Sequence, residues 1–499
     1  MGKGFSFPHP FFSSKSSWKW FILTTVLVGA TMSALDVSIV NVAMPTLQHS
    51  FNVSLALIEW VAMAYMLTLT IFLPLFGRLA DMYGRTKLYT TGFVVFTIGS
   101  VLCGMSPTAS FLIFSRVLQA VGAGLLQANS VAIITAAFPG NERGKAIGIQ
   151  GAVQAVAMSI GPFVGGLLIK AVSWRAIFYV NLPIGIIGVL MALLILPKSE
   201  SSGKKEKIDF FGILTFSPGL ACMVLALNKG EKLGWTSNTI LAYFALAAVL
   251  LTAFVITELK VEHPMIDLKL FKSYTFSAGN ITGMLSYYVL FAILFLMPFY
   301  MEEVLHYGVA LTGSLLTPIP LAMAFVAPVA GSISDKHGSR VMTTSGMLVC
   351  ALATFFLMFM GESAHLTWLV LDLVVLGIGM GMFTPPNNSA IMGAAPREKL
   401  GLAGGILNMT RSLGLIFGVD ISGLIFTSLK HSYYVSKGFS LADTKTIPAE
   451  VRNDAFMHGF MVVMGVLVGI NIIAAILSVA KKDEGLLSAE EMKEFAAGD

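Results

Sequence analysis

The sequence predicts an all-α protein that crosses a membrane many times. Hydrophobic residues make up 56% of the 499 and charged residues only 12%, whereas soluble domains are nearer a quarter charged. Apolar stretches of about 20 residues, the length a helix needs to cross a bilayer, recur along the chain. They are continuous rather than alternating, which argues against a β-barrel. One polar stretch also occurs twice, each time between apolar runs: Gly77-Arg78-Leu79-Ala80-Asp81-Met82-Tyr83-Gly84-Arg85 and Gly331-Ser332-Ile333-Ser334-Asp335-Lys336-His337-Gly338-Ser339-Arg340. Both place Asp four residues after Gly and a second Gly three residues later, with a basic residue close behind. Such residues suit a tight reversal between two membrane helices. Glycine permits close backbone approach and positive φ, and Asp can accept from exposed N–H groups at a helix start. Two copies indicate a duplicated six-helix bundle.

In order, residues 1–17 read as a polar and aromatic tail, and Trp18-Lys19-Trp20 marks a membrane interface. Spans are expected near 18–43, 58–77, 88–105, 111–137, 146–169 and 175–196, which gives a first bundle over 18–197. A linker over 198–273 carries Lys198, Lys204, Lys205 and Lys207 and two additional spans near 210–228 and 238–258. The second bundle, 274–480, holds spans near 274–300, 309–333, 341–360, 366–392, 401–428 and 456–480. A polar tail, 481–499, follows. The expected fold is thus two six-helix bundles plus two extra central helices, fourteen spans in all. With the N-terminus inside, 22 of the 32 Lys and Arg residues fall on the inner side and 8 on the outer. That bias predicts both termini in the cytoplasm. The first apolar run is too long for a signal-peptide core, so it should be retained.

Composition and motifs exclude other classes. The net charge of +5 needs no nucleic-acid partner, because cytoplasmic loops account for it. Cys103, Cys222 and Cys350 lie inside apolar runs and read as buried thiols. His337 and His365 carry no metal spacing, and no cofactor is expected. Gly377, Gly379 and Gly381 mimic a dinucleotide loop, but no strand precedes them. There is no phosphate-binding loop to support ATP-driven transport, and the chain is not expected to be an enzyme.

Ionisable residues inside spans each cost about 2.5–3.5 kcal/mol on insertion scales and usually face a cavity or a partner. The candidates are Asp36, Arg116, Asp372, Arg411 and Asp420. Glu59, Glu302 and Glu303 fall at expected outer ends. Asp36 and Arg116 both fall in the outer half, within reach of each other. One reading is a static buried ion pair that fixes packing. The other is a proton or cation site whose arginine tunes the Asp. Asp420 and Asp372 have a plainer reading as acids hydrogen-bonded to a neighbouring helix. Asn41, Gln119, Gln154 and Tyr287 complete the expected cavity set. In the fifth span, Gly151, Ala155, Ser159, Pro162 and Gly166 predict a small-residue face for close helix contact, and Pro162 predicts a kink.

Several of these stretches resemble the major facilitator transporters, and in particular the fourteen-helix drug:proton antiporters. The duplicated loop resembles the superfamily's motif between its second and third helices, with Met82 where arginine is common. Leu35-Asp36-Val37-Ser38-Ile39-Val40-Asn41 resembles the first-helix signature of the antiporters, and Arg116-Val117-Leu118-Gln119-Ala120-Val121-Gly122 resembles their fourth-helix motif. Gly161-Pro162-Phe163-Val164-Gly165-Gly166 is similar to the antiporter motif of exporters. Trp174-Arg175-Ala176-Ile177-Phe178-Tyr179-Val180-Asn181-Leu182-Pro183 and Asn408-Met409-Thr410-Arg411 also match the fourteen-helix family; Asp420 departs from it. The resemblance implies a plasma-membrane, proton-coupled exporter of lipophilic, often cationic compounds, working as a monomer on substrate and protons within the lipid bilayer. Gly77, Asp81, Gly84, Arg85, Asp335 and Arg340 form the expected conformational latch, because a carboxylate in a cytoplasmic turn can dock on a helix start or a basic residue of the opposite bundle. The alternatives are export of one metabolite, peptide or lipid by the same fold, or a transport-dead sensor or scaffold.

Overall fold

The computed structural model describes residues 15–53, 55–197, 209–261, 264–362, 364–439 and 447–480, and every regular element among them is helical. The first bundle contains α1 (Lys15–Phe51), α2 (Leu55–Tyr83), α3 (Arg85–Gly104), α4 (Ala109–Ala137), α5 (Gly140–Ala171), α6 (Ala176–Tyr179) and α7 (Asn181–Ile195). The central pair is α8 (Phe210–Leu233) and α9 (Asn238–Glu258). The second bundle contains α10 (Tyr274–Phe299), α11 (Val309–Leu316), α12 (Pro318–His337), α13 (Ser339–Met358), α14 (Leu366–Gly393), α15 (Leu400–Ser436) and α16 (Ala449–Val479). Thirteen segments among the described residues are long and apolar enough to cross a membrane, and α8 adds a shorter apolar stretch, Phe211–Leu227.

Helix α1 runs past its apolar span, Trp18–Val40, to Phe51, and α15 runs past the expected 401–428 to Ser436. Two expected single spans are broken instead. The sixth divides at Val180 into α6 and α7, and the tenth divides at Thr317, where Pro318 opens α12. Proline suits a first helical position, where its missing N–H would have no partner.

The same pairings occur in both halves. α3 packs on α4 and α7, and α13 packs on α14 and α16. α1 packs on α5, and α10 on α15. Between the halves, α2 meets α15 and α5 meets α12. One core fills the second bundle around Val289, Ile293, Leu296, Leu373 and Phe460. Another lies between α1, α2, α3, α4 and α6 around Val40, Ile58, Leu112 and Phe178. A third runs from Phe93 and Phe96 through Phe76 into Leu402 and Ile406 of α15, and on to Phe216 of α8. Cys103 and Cys350 are buried as expected, but Cys222 is only half-buried.

Candidate functional site

Call the end at which α1 begins the basal end. There the bundles are joined by two seams that obey one pattern. In the first, Asp81 Oδ1 accepts from the Gly401 amide at 2.9 Å and Oδ2 from Leu402 at 2.8 Å. In the second, Asp335 Oδ1 accepts from the Gly144 amide at 2.7 Å and Oδ2 from Lys145 at 2.9 Å. Asp81 therefore clasps the first turn of α15, where backbone donors are unmatched and the dipole favours negative charge, and Asp335 reaches the second turn of α5. The expected latch residues are thus together, but the two copies differ. Arg85 donates from Nε and Nη2 to Asp81 at 3.0 and 2.9 Å, which supplies the cation that Met82 does not. In the second copy Ser339 holds Arg85's place; Arg340 comes one residue later and is exposed. Gly84 and Gly338 start α3 and α13 with φ of 99° and 86°, a region that only glycine enters freely.

Glycines allow these seams to close. A Cβ on Gly401 would stand 2.6 Å from the Gly77 carbonyl and from Asp81 Oδ1; one on Gly144 would meet Asp335 Oδ1 at 2.6 Å and the Gly331 carbonyl at 2.7 Å. One turn on, a Cβ at Gly405 would meet the Leu73 carbonyl and one at Gly148 the Ala327 carbonyl, each at 2.5 Å. Gly144 and Gly401 close equivalent loops in the two halves, which the sequence shows; Gly148 and Gly405, one turn on, are added by the structure. Replacing Gly401 by Ala is expected to open the basal end. A cysteine pair placed across the α2–α15 seam in that variant should lose cross-linking yield, and an unchanged yield would show that the backbones can part by tenths of an ångström at no cost.

Asp36 and Arg116 meet deep in the first bundle. Arg116 Nη1 lies 2.6 Å from Asp36 Oδ2. Asp36 Oδ1 accepts from Gln119 Nε2 at 2.8 Å and Asn181 Nδ2 at 3.1 Å. Arg116 also donates to Gln119 Oε1 at 2.7 Å and to the Val61 carbonyl at 3.2 Å, and its guanidinium lies 4.1 Å from the Tyr65 ring centre. Ser100 Oγ accepts from both Gln119 and Asn181 at 2.9 Å. All six polar side chains are at most 1% exposed. The network therefore belongs to one bundle and is buried in this arrangement. Gln119 and Gly122, three residues apart, share the face of α4 that packs on α3: a Cβ at Gly99 would meet the Gln119 backbone at 2.7 Å, and one at Gly122 the Phe96 amide nitrogen at 2.3 Å. Ser100 and Tyr65 carried no signal in the sequence; Asn181 did, as part of the stretch that opens with Trp174. The side chains of Asn41 and Glu59 lie outside the described residues.

The remaining candidates scatter. Asp372 is 6% exposed, and its Oδ2 has no hydrogen-bond partner. Asp420 is half-buried on α15. Gln154 and Arg411 are related by the repeat, each ten residues beyond its seam glycine, Gly144 or Gly401. That places both about 15 Å from the basal seam, near the middle of a bilayer. The Arg411 guanidinium lies 5.1 Å from the Tyr287 ring centre. One turn earlier, Asn408 Nδ2 crosses to the Gln127 carbonyl of the first bundle at 3.0 Å. A cavity of about 510 Å³ opens between α1, α5 and α12, lined by Leu35, Val153, Val156, Val164, Leu321 and Phe325 among others.

The small-residue face expected on α5 is not the packed one. Gly151 and Gly166 face open space and Pro162 is exposed, whereas Gly161 and Gly165 meet Ser38 and Ile39 of α1. Two glycine pairs in i,i+4 spacing, Gly144/Gly148 and Gly161/Gly165, point to different neighbours, α12 and α1. None of these four glycines belongs to the expected face of Gly151, Ala155, Ser159, Pro162 and Gly166.

The central pair is not detached. α8 packs against both α2 and α15, the helices of one seam. Before α10, Asp267 ion-pairs with Lys399 at the start of α15. Burial raises the Asp267 pKa, but hydrogen bonds from Lys399 and the Lys269 amide outweigh it and hold the carboxyl below its usual value. The pair's stabilisation is therefore full above about pH 4 and fades as pH falls through the depressed value.

Two repeat-related bundles, joined at one end by mirrored seams, have counterparts among known proteins. The Major Facilitator Superfamily model matches residues 26–419. The riboflavin transporter RibZ of Clostridioides difficile is 39% identical over 409 residues, covering 82% of this chain and 88% of its own. The multidrug transporter MdtP of Bacillus subtilis is 30% identical over 442 residues, covering 88% and 81%. The multidrug resistance protein Stp of Mycobacterium tuberculosis is 32% identical over 402 residues, covering 80% and 74%. In structure, the proton:xylose symporter XylE superposes with a TM-score of 0.65 at 15% identity, covering 97% of this chain and all of that one. Matched across most of its length, the chain belongs to the Major Facilitator Superfamily, a family of membrane transporters.

Proposed function

We propose that this protein is a proton-coupled exporter of small lipophilic compounds in the cell membrane, with both termini in the cytoplasm. It would move its substrate by rocking one bundle against the other, as a monomer, and fall in the fourteen-helix antiporter group. The observation that carries this reading is the pair of repeat-related seams. Each is a carboxylate laid on the first turns of a helix with glycines beneath it, a polar contact that can break and re-form. With the basal end cytoplasmic, the clasped arrangement is closed to the cytoplasm. Asp36 supplies the carboxylate for proton coupling, and the relatives named for multidrug transport and resistance support a lipophilic substrate. A second reading, traffic in one metabolite such as riboflavin, is favoured by the 39% identity to RibZ.

Purified protein in liposomes, with a pH-sensitive dye inside, tests this over a panel holding riboflavin and lipophilic compounds of each charge. Substrate-dependent proton movement is expected. Substrate movement without proton movement would remove the coupling, and silence across the panel would favour a sensor or scaffold.

The residues 18–197 and 274–480 are taken as the working units and α8–α9 as an accessory. Excising 209–258 and bridging the gap with a flexible linker should leave measurable transport while lowering the melting temperature, since α8 loses its packing on α2 and α15. A stable excised protein without transport would make the pair part of the moving machinery.

A further inference from the structure

The two arginines inside spans have opposite surroundings. Arg116 is sealed, paired with Asp36 and hydrogen-bonded to Gln119 and Val61. Arg411 is half-buried on α15, and no carboxylate pairs with it among the described residues. Its contacts are the Tyr287 ring and Asn408 Oδ1, the latter at 3.5 Å, the outer limit of a hydrogen bond. A guanidinium has five N–H donors in a fixed fork and cannot discharge itself by losing a proton. Held near the middle of a bilayer without a counter-charge, such a group is expensive and usually faces a pathway.

Its depth matches the apolar cavity on the other seam. Val153 and Val156 lie nine and twelve residues beyond Gly144, as Arg411 lies ten beyond Gly401. At the point equivalent to Arg411, α5 carries the neutral Gln154. The crossing from Asn408 to the Gln127 carbonyl, one turn below Arg411, sets this part of α15 against the first bundle.

Resting on the exporter reading above, we propose that Arg411, stacked on Tyr287, is the substrate's anion site, and that the protein carries amphipathic organic anions with a planar ring. The acidic group sits on the guanidinium fork and the ring system lies beside the Tyr287 ring. Permanent cations, expected from the family resemblance, are disfavoured by the unneutralised charge.

Three naphthalenes with the same ring test this: naphthalene-2-sulfonate, naphthalene-2-carboxamide and trimethyl(2-naphthyl)ammonium. Binding to the purified full-length protein is read by calorimetry without a proton gradient. The sulfonate should bind ~tenfold or more tighter than the carboxamide, as one charge-assisted hydrogen-bond set implies, and the ammonium weakest. Arg411→Gln should erase that ranking, and Arg411→Lys should keep part of it, because the charge stays while the planar fork is lost. A wild-type protein that binds the ammonium as well as the sulfonate overturns the proposal, and so does a preserved ranking in Arg411→Gln. The wild-type ranking decides the matter even where a variant fails to fold. Anion preference without substrate-driven proton flux in liposomes would overturn the exporter reading and leave the anion site standing. Proton flux driven equally by cations and anions would do the reverse.

Discussion

Asp36→Asn is expected to abolish proton-driven transport and to destabilise the protein. The variant leaves the Arg116 guanidinium buried without its counter-charge, and breaking a buried pair by removing one partner typically costs about 3–5 kcal/mol. Loss of transport alone would therefore not separate a coupling role from a packing role. The double variant Asp36→Asn/Arg116→Gln does separate them. It removes both charges and keeps amide and carbonyl groups able to bond with Gln119, Asn181 and Ser100, so melting temperature should recover toward wild type. Coupled uptake into inverted vesicles should stay absent. If uptake returns along with stability, Asp36 is a packing residue and the proton is carried elsewhere. Asp372 would then be the first alternative, because it is buried, lies within the other bundle and has one oxygen without a partner.

How much of this could be read beforehand follows from the range of each interaction. Most helices and loops are legible because they depend on local facts, a run of apolar residues or a glycine before a basic residue; the breaks at Val180 and Thr317 are not. The seams were half legible. The repeated Gly-to-Asp spacing marked Asp81 and Asp335, but what they clasp, Gly401 and Gly144, lies 320 and 191 residues away. No local pattern fixes such a partner. The Asp36 site was legible as a pair because a buried charge requires an opposite one. Its burial was not, since that depends on Ser100 and Asn181 arriving from α3 and α7. Arg411 stands out in the sequence as a charge in a span, but that no carboxylate among the described residues pairs with it is visible only in the fold. The packed face of α5 is hidden in the sequence for the same reason. Glycine spacing says that a helix has close neighbours, and not that they are two different helices.

The two basal clasps should shift the balance between conformations without unfolding the protein, and Asp81 should matter more than Asp335. A hydrogen bond to a charged group is worth about 1.5–3 kcal/mol. Asn in place of Asp keeps one acceptor oxygen but loses the charge, so each substitution should cost the closed arrangement about 1–2 kcal/mol, a population shift of about 5–30-fold. Asp81 holds Arg85 as well as two amides, so Asp81→Asn also frees a cation beside the seam; Asp335 has Ser339 where that arginine would be. Neither clasp contributes if the contact persists when the basal end opens, because only an interaction that differs between two states moves their equilibrium. Spin labels across the basal mouth, one pair over the α2–α15 seam and one over α5–α12, measure this directly. Asp81→Asn should lengthen the distances in both pairs, since the bundles rotate as units. Asp335→Asn should do so less, and the double variant most. Distance distributions equal to wild type in the double variant, with transport intact, would reduce both carboxylates to caps on the helices they touch.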